Sequence, residues 1–449
     1  MRGRMDFAGR LKRDLVGRAD ARFVYLNNFE VERSWSVGEP KLPGSGIAFA
    51  NATVNRMEEM GVLLAEAADV VVLKAPMDEE YDAYLHGIGA AAGHVLTADD
   101  CDPSRTVTED ALSSPELLQA LRNLADGNTY LMPLGISRAE ERLAQETGLP
   151  LAGPSAAVCT AVNGKIYSRG LVESTGLRAV PGEVCVTVGE LPDALHRQLA
   201  RGTGAVVKES LGVSGRGMIK VANDKAAARL LRLIGRRGAD SPANLVVESW
   251  VAGAEDLNYQ FVVGRSGVVR FETVKAAVLR NGVHQGHRFP AVLSEAHTAE
   301  LTEAAQLIGK QLYADGYTGM VGVDAMLSPY GTLYPCLEIN ARFNMSTYQS
   351  RITERLLAPG MHGIAATINL RPSRAHTFGE VADALGDLLF DGTGRTGVLV
   401  NNFATLNAAA AEGSFHGRLY AVCLDEGPEN ALALRTEAEL RLQKMVESA

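Results

Sequence analysis

The sequence predicts an α/β chain, of the α+β kind: a parallel α/β unit first, a strand-rich centre next, and a C-terminal stretch of different character. Three observations predict it. Strand-like and helical runs alternate from residue 22 to 150, the pattern of a parallel sheet covered by helices. From residue 204 onward, strand-like runs follow one another across glycine-rich turns. The 449 residues, 46% hydrophobic and 22% charged, suffice for two or three domains with a sizeable core.

Composition excludes some classes. A formal net charge of −9 argues against a nucleic-acid-binding surface, leaving room only for a local basic cleft. MGVLLAEAADVVVL is interrupted by Glu and Asp, and no run reaches the length of a membrane span. The N-terminus is basic (Arg2, Arg4, Arg10, Lys12, Arg13) but no apolar signal-peptide core follows it. Cys101, Cys159, Cys185, Cys336 and Cys423 are scattered, form no CxxC and read as reduced thiols, so a cytoplasmic protein is expected.

Taken in order, RFVYLNNF (22–29) reads as a strand, NRMEEMGVLLAEAA (55–68) as a helix and DVVVLKAP (69–76) as a buried strand. PELLQALRNLADG (115–127) reads as a helix ending at glycine, and NTYLMPLGI (128–136) as a strand. SRAEERLAQETG (137–148) has a serine cap and a glycine stop. No GxGxxG follows the first strand, so a Rossmann dinucleotide site is not expected. Asn27, Asn28 and Glu30 lie at that strand's carboxyl end, where open α/β sheets place ligands, although plain loop polarity explains them too.

Residues 154–177 hold one helix and most of another, with Lys165 between them after Asn163 and Gly164. VPGEVCVTV (180–188) is strand-like and PDALHRQLARG (192–202) helical. GAVVKES and GMIKVA are strand-like runs on either side of LGVSGRG (211–217). Gly212, Gly215 and Gly217 let a backbone approach phosphates with its N–H groups, Ser214 adds a hydroxyl, and Lys208 brings a cation along the entering strand. The loop is neither a Walker loop nor a Rossmann turn, since a second strand follows it; an ordinary hairpin turn is the alternative to a phosphate flap.

A helix (226–238) leads to the strand NLVVESWV (244–251) with Glu248, and AGAEDLNYQFVVG (252–264) carries Glu255. VVRFETVKAAVL (268–279), with Lys275, is another strand, and NGVHQGHRFPAVL (281–293) reads as a loop. His284 and His287 in that loop have no helix, third ligand or glutamate base beside them, so zinc is not expected. Arg288 offers a planar fork to a carboxylate or phosphate. A long helix (294–316) precedes the most informative stretch, Gly319 to Asn344. Beyond it, 346–370 reads as mostly helical, and 371–449 holds a glycine-rich stretch, the strand-like GRLYAVCLDE and a charged final helix.

Within 319–344, GMVGVDAML and TLYPCLEINARF flank the turn residues SPYG, a β-hairpin pattern. Alternation puts Glu338 and Asn340 on one face, and pairing brings Asp324 to the same place. Two carboxylates and an amide are hard oxygen ligands that suit Mg²⁺ carrying phosphates, and Arg342, on the face of Asn340, can reach a phosphate. An edge hairpin with a solvated polar face is the plain alternative.

The order of these pieces resembles the ATP-grasp superfamily, well over about 150–345 and plausibly over the α/β unit before it. The resemblance implies an ATP-grasp fold: an N-terminal domain (1–150), an ATP-grasp domain (151–370, with an ATP-binding part at about 178–252 and a metal-binding core at about 253–370), and a C-terminal extension (371–449) serving as substrate cleft or lid. It implies that Lys165 and Lys208 hold ATP phosphates and that Ser210, Gly212, Ser214, Gly215 and Gly217 form the flap. Glu248, Ser249, Trp250 and Val251 match the adenine hinge, and Glu255 the carboxylate on the ribose. Asp324, Glu338 and Asn340 match the ligands of two Mg²⁺ ions, for which Mn²⁺ is a substitute. Arg342 matches the arginine that steadies an acyl phosphate, and Arg288 is the candidate for the acceptor carboxylate or that phosphate. LEINARFNMSTYQ, GVSGRG and the extra C-terminal region look like the pheganomycin-type peptide ligases of actinobacteria.

That resemblance implies an ADP-forming carboxylate–amine ligase of peptide antibiotic biosynthesis, joining a guanidino or other amino-acid carboxylate to a peptide amine through an acyl phosphate. The alternatives are a ligase of two free amino acids, a carboxylase-like relative, a phosphotransferase, and an inactive ATP-binding regulatory protein. The partners expected are small carboxylates and peptides, with no nucleic acid or membrane, and a homodimer is the working expectation.

Overall fold

The computed structural model describes residues 5–44, 51–91, 93–212, 217–280, 283–411 and 413–448. Ser214 and Gly215 of the expected flap lie outside the described residues. The first sheet holds β1 (Arg22–Leu26), β2 (Val70–Leu73), β3 (His94–Thr97) and β4 (Thr129–Pro133), all parallel, in the order β3-β2-β1-β4. Both faces of β1 and β2 are covered, so the strands read as unbroken apolar runs. Val24, Leu26, Val70 and Val72 pack on Leu117, Leu121 and Leu143 of the covering helices. Phe23, Tyr25, Val71 and Leu73 face the main core of the molecule instead. The helix Arg138–Thr147 has the expected ends: Ser137 and Glu140 form a capping box, and Gly148 stops it at φ 76°.

The helix expected over 55–68 is instead a short α-turn, Asn51–Asn55, followed by a 3₁₀ stretch, Arg56–Leu63. Met57 through Leu63 are all buried, glutamates included, so this segment has no solvated face of the kind an amphipathic helix needs. A Cβ at Gly61 would overlap the amide of Asn27, so the segment lies hard against the end of β1.

The second sheet is antiparallel: β5 (Gly182–Thr187), β6 (Ala205–Glu209), β7 (Met218–Val221) and β8 (Pro242–Ser249), in the order β5-β8-β6-β7. It has its own core, built with Leu191 and Leu195 from one helix and Leu230 and Ile234 from another. β6 and β7 are the two sides of the glycine loop.

The third sheet has eight strands: β9 (Glu255–Val263), β10 (Val269–Arg280), β11 (Val283–Phe289), β12 (Gly319–Leu327), β13 (Leu333–Asn340), β14 (Met361–Leu370), β15 (Gly397–Asn402) and β16 (Gly417–Glu426). Their order is β13-β12-β9-β10-β11-β14-β16-β15. Two expectations fail here. Residues 281–293, read as a loop, contain β11, and 346–370, read as mostly helical, contain the ten-residue strand β14. β11 is polar and carries Gly286, but it pairs on both sides, and a Cβ at Gly286 would overlap the Ala365 carbonyl of β14. β14 runs between β11 and β16, and those partners outweigh the helix propensity of its alanines. Residues 371–449 add β15, β16 and the helix Pro428–Glu447 to this same sheet. No helix among the described residues is long and apolar enough to cross a membrane.

Candidate active site

The expected hairpin forms as β12 and β13, with Asp324 opposite Glu338 and Gly322 opposite Asn340. β9 lies on the other side of β12 and sets Asn258 opposite Asp324, and β10 sets Lys275 opposite Asn258. One row across four strands is therefore Lys275, Asn258, Asp324 and Glu338. The next row includes Gln260, Gly322 and Asn340. A Cβ at Gly322 would overlap the amide of Asn344, so only glycine leaves room for that side chain beside Asp324.

Amides bind both oxygens of Asp324: Asn258 Nδ2 donates at 2.8 Å and Asn340 Nδ2 at 3.3 Å. Gln260, Asn344 and Thr347 continue this network, with Gln260 Nε2 donating to Asn344 Oδ1 at 2.6 Å. Burial first, and then the Glu338 charge, pushes the Asp324 carboxyl up to about 6. Two carboxylates crowded in this way, with an amide beside them, make a place where a divalent cation relieves repulsion. Among the described residues no three His, Cys, Asp or Glu gather to hold a metal.

Of the expected cations, Lys165 and Arg342 touch these rows directly. Lys165 opens the helix Lys165–Thr175, and its Nζ donates to Glu338 Oε1 at 2.6 Å and to the Gly212 carbonyl at 3.0 Å. Its backbone N–H donates to the Ser210 carbonyl at 2.9 Å, so one residue ties the entry of the flap to the hairpin. Lys208, on β6, donates to Glu248 Oε2 at 2.6 Å. Burial pulls the Lys208 ammonium down, but Glu248, Glu338 and Asp324 outweigh it and hold the group above its ordinary value. Arg342 donates from Nε to Glu32 Oε1 at 2.7 Å and from Nη2 to Asn340 Oδ1 at 2.9 Å. Arg288 and Glu255 pair with each other.

The hinge residues lie at the end of β8. Glu248 is buried and also accepts from Arg169 Nη1 at 3.4 Å. The N–H groups of Ser249 and Trp250 donate to the Pro181 and Gly204 carbonyls, so both donors are already used within the fold. Gly217 has φ 72°, and a Cβ there would press on the Glu209 carboxylate.

Asn27, Asn28 and Glu30 are not open to a ligand: all three are buried, Asn28 between Gly135 and Glu140, Asn27 between Glu58 and Tyr348, and Glu30 against Asn55. Residues that sequence reading missed do more. Asn258 orients Asp324, Asn344 donates to Asn258 Oδ1 at 3.4 Å, and Asn163 accepts the Ala341 N–H at 2.9 Å while donating to its carbonyl at 3.2 Å. Lys275 is fully buried, donates to the Ser346 carbonyl at 2.7 Å and to Gln349 Oε1 at 3.1 Å, and is pulled down to about 7 by that burial. None of these has a sequence signal of its own, because each acts on a partner distant in the chain.

Residues 57–149 match the model of the pre-ATP-grasp domain. The chain is 29% identical over 201 residues to the butirosin acyl-carrier protein–L-glutamate ligase of Niallia circulans, covering 44% of this chain and 48% of that protein. It thus spans about half the length of the curated relatives it matches. Among solved structures, N5-carboxyaminoimidazole synthetase from Staphylococcus aureus superposes at TM-score 0.54, with 13% identity, over 94% of this chain and 98% of that one. The biotin carboxylase domain of the Hydrogenobacter thermophilus 2-oxoglutarate carboxylase, solved with MgADP and bicarbonate, superposes at TM-score 0.52, with 14% identity, over 93% and 89%. At these identities the structural likeness establishes the fold.

Proposed function

This chain has an ATP-grasp fold behind a pre-ATP-grasp domain, and from that premise we propose that it is an ATP-dependent carboxylate–amine ligase that forms ADP. The observation that carries the reading is Lys165 bonded to Glu338 opposite Asp324, with the Lys208–Glu248 pair near enough for both carboxylates to raise the Lys208 ammonium. The ligase in its sequence relative's name and the MgADP in its structural neighbour support it.

Asp324, Glu338 and Asn340 would hold Mg²⁺, or Mn²⁺ in its place. Bound there, the ion neutralises phosphate charge. A substrate carboxylate oxygen attacks the γ-phosphorus of ATP, the bond to the ADP oxygen breaks, and an acyl phosphate forms. An amine nitrogen then attacks the acyl carbon, the carbon–oxygen bond to phosphate breaks, and the amine proton leaves to solvent. Lys165, Lys208 and the flap from Ser210 to Gly217 steady the phosphates, Glu248 to Val251 and Glu255 receive the nucleoside, and Arg342 and Arg288 take the acyl phosphate or acceptor carboxylate. Arg342 and Arg288 must first leave Glu32 and Glu255. No protein nucleophile is needed.

The finer reading is a peptide-forming enzyme of natural-product biosynthesis, with an amino-acid-like (guanidino) carboxylate and a peptide amine as substrates. Five unpaired cysteines, four of them buried, accord with a reducing cytoplasm.

Phosphate release from Mg·ATP, assayed with a panel of carboxylates including guanidino acids, with and without peptide amines, tests this. Release that needs both substrates is expected, and Glu338→Ala is expected to lower it by about 10³-fold or more. Release with free amino acids alone would mark a dipeptide ligase. ATP binding without release under any pair would overturn the ligase reading in favour of a regulatory ATP-binding protein.

A further inference from the structure

A second recess lies apart from the nucleotide face. It has a volume of about 350 Å³, a size suited to a small ligand. Pro76 and Asp78 follow β2, Cys101 follows β3, and the short helix Ala404–Asn407 after β15 closes the far side. Carboxyl ends of parallel strands are where open α/β sheets bind ligands. Neither the lysines nor the hairpin carboxylates of the nucleotide face line it.

Its wall carries both signs of charge. Arg56 is fixed by donation from Nε to Glu58 Oε1 at 3.1 Å and from Nη2 to the Ala75 carbonyl at 3.3 Å. A guanidinium has five N–H donors, so these two bonds leave it further capacity. Glu59 is 1% exposed. One of its oxygens accepts the N–H groups of Phe403 at 2.7 Å and Ala404 at 2.8 Å. Its other oxygen is buried and has no hydrogen-bond partner among the described residues. A buried carboxylate oxygen without a donor is costly, and an N–H from a ligand removes the cost. Asn55, Asp78 and Asn407 add polar groups to the same wall.

We propose that this recess binds an α-amino carboxylate, as a free amino acid or a short peptide, with its ammonium on Glu59 and its carboxylate on Arg56. Recognition of one molecule by both charges selects against simple anions and simple amines. Neither ATP nor Mg²⁺ is required for it, so it stands or falls separately from the ligase reading. It gives the C-terminal segment, through Phe403, Ala404 and Asn407, a share in a binding site.

Cys101 supplies the test. It lines the recess and is exposed, while the other four cysteines are buried. The rate of its alkylation by iodoacetamide, followed by mass spectrometry at mildly alkaline pH on the full chain without nucleotide, reports occupancy. Glycine, glutamate, arginine and glycylglycine are the probes, and acetate and ethylamine the single-charge controls. At about ten times its Kd, a bound probe should slow alkylation about tenfold. Protection by glycylglycine alone would support a peptide ligand, and protection by a free amino acid would support that source. Glu59→Gln keeps an acceptor oxygen for Phe403 and Ala404, and both it and Arg56→Gln should lose the protection; Arg56→Gln also lowers the melting temperature, because the buried Glu58 loses its partner, and is assayed where it is still folded. The wild-type comparison stands even where a variant fails to fold. No protection by any probe, equal protection by acetate or ethylamine, or protection that persists in both folded variants overturns the proposal.

Discussion

Asp324 carries an electrostatic load that its neighbours share out. Its proton is held more tightly in the folded chain, up to about 6, than at its ordinary value of 3.8. The ligand-free protein therefore loses stability from this group as pH rises between those values, and the loss is complete above them. On the proposed reading Asp324 holds Mg²⁺ in its ionised form, so Mg·ADP affinity would weaken as pH falls through about 6. Melting curves of wild type and Asp324→Asn across this range, with and without Mg·ADP, check both slopes; the difference between the proteins should vanish at the acid end. Asp324, Glu338 and Asn340 were legible in the sequence because period-two alternation is written in consecutive residues. Asn258 and Asn344 were not, since Asn258 meets Asp324, and Asn344 meets Asn258, only once β9 lies beside β12.

At the scale of elements, the hairpin is held from behind by a helix pair. Ser168 accepts the Ile339 N–H at 3.0 Å, and Asn163 clasps both backbone groups of Ala341. These bonds fix β13 relative to Lys165, so they set the reach of the lysine to Glu338. Asn163→Ala leaves a buried N–H and a carbonyl without their partner and should cost about 3 kcal/mol in urea unfolding. It should also lower phosphate release more than loss of fold alone explains, measured at a temperature where the variant is still folded. The front α/β unit, the glycine-linked β6 and β7, and the hairpin were readable from periodicity and turn residues. β11 and β14 were not: one is too polar and the other too rich in alanine, and both are strands because of the neighbours they pair with.

For the whole molecule, the change of composition at residue 371 does not interrupt the third sheet. β14 pairs with β16 from Met361↔Glu426 to Leu370↔Gly417, and the helix Pro428–Glu447 buries Ala438 and Leu442 against the same core. A chain ended after residue 370 exposes that entire edge and should give no cooperative thermal transition, and limited proteolysis should digest it rapidly.

The pairing of Lys165 with Glu338, and of Lys208 with Glu248, has an energetic corollary for loading the site. The cations that would greet a triphosphate on the proposed reading are already matched, so nucleotide and metal would enter by exchange of partners. On the proposed reading, Mg²⁺ on Glu338 would release Lys165 for phosphate, and phosphate on Lys165 would release Glu338 for Mg²⁺. Linkage then requires reciprocity: Mg²⁺ tightens ADP by the same factor by which ADP tightens Mg²⁺. Calorimetric titrations in both orders should return one common factor, and Lys165→Met, which cuts the exchange at its shared residue, should shrink it.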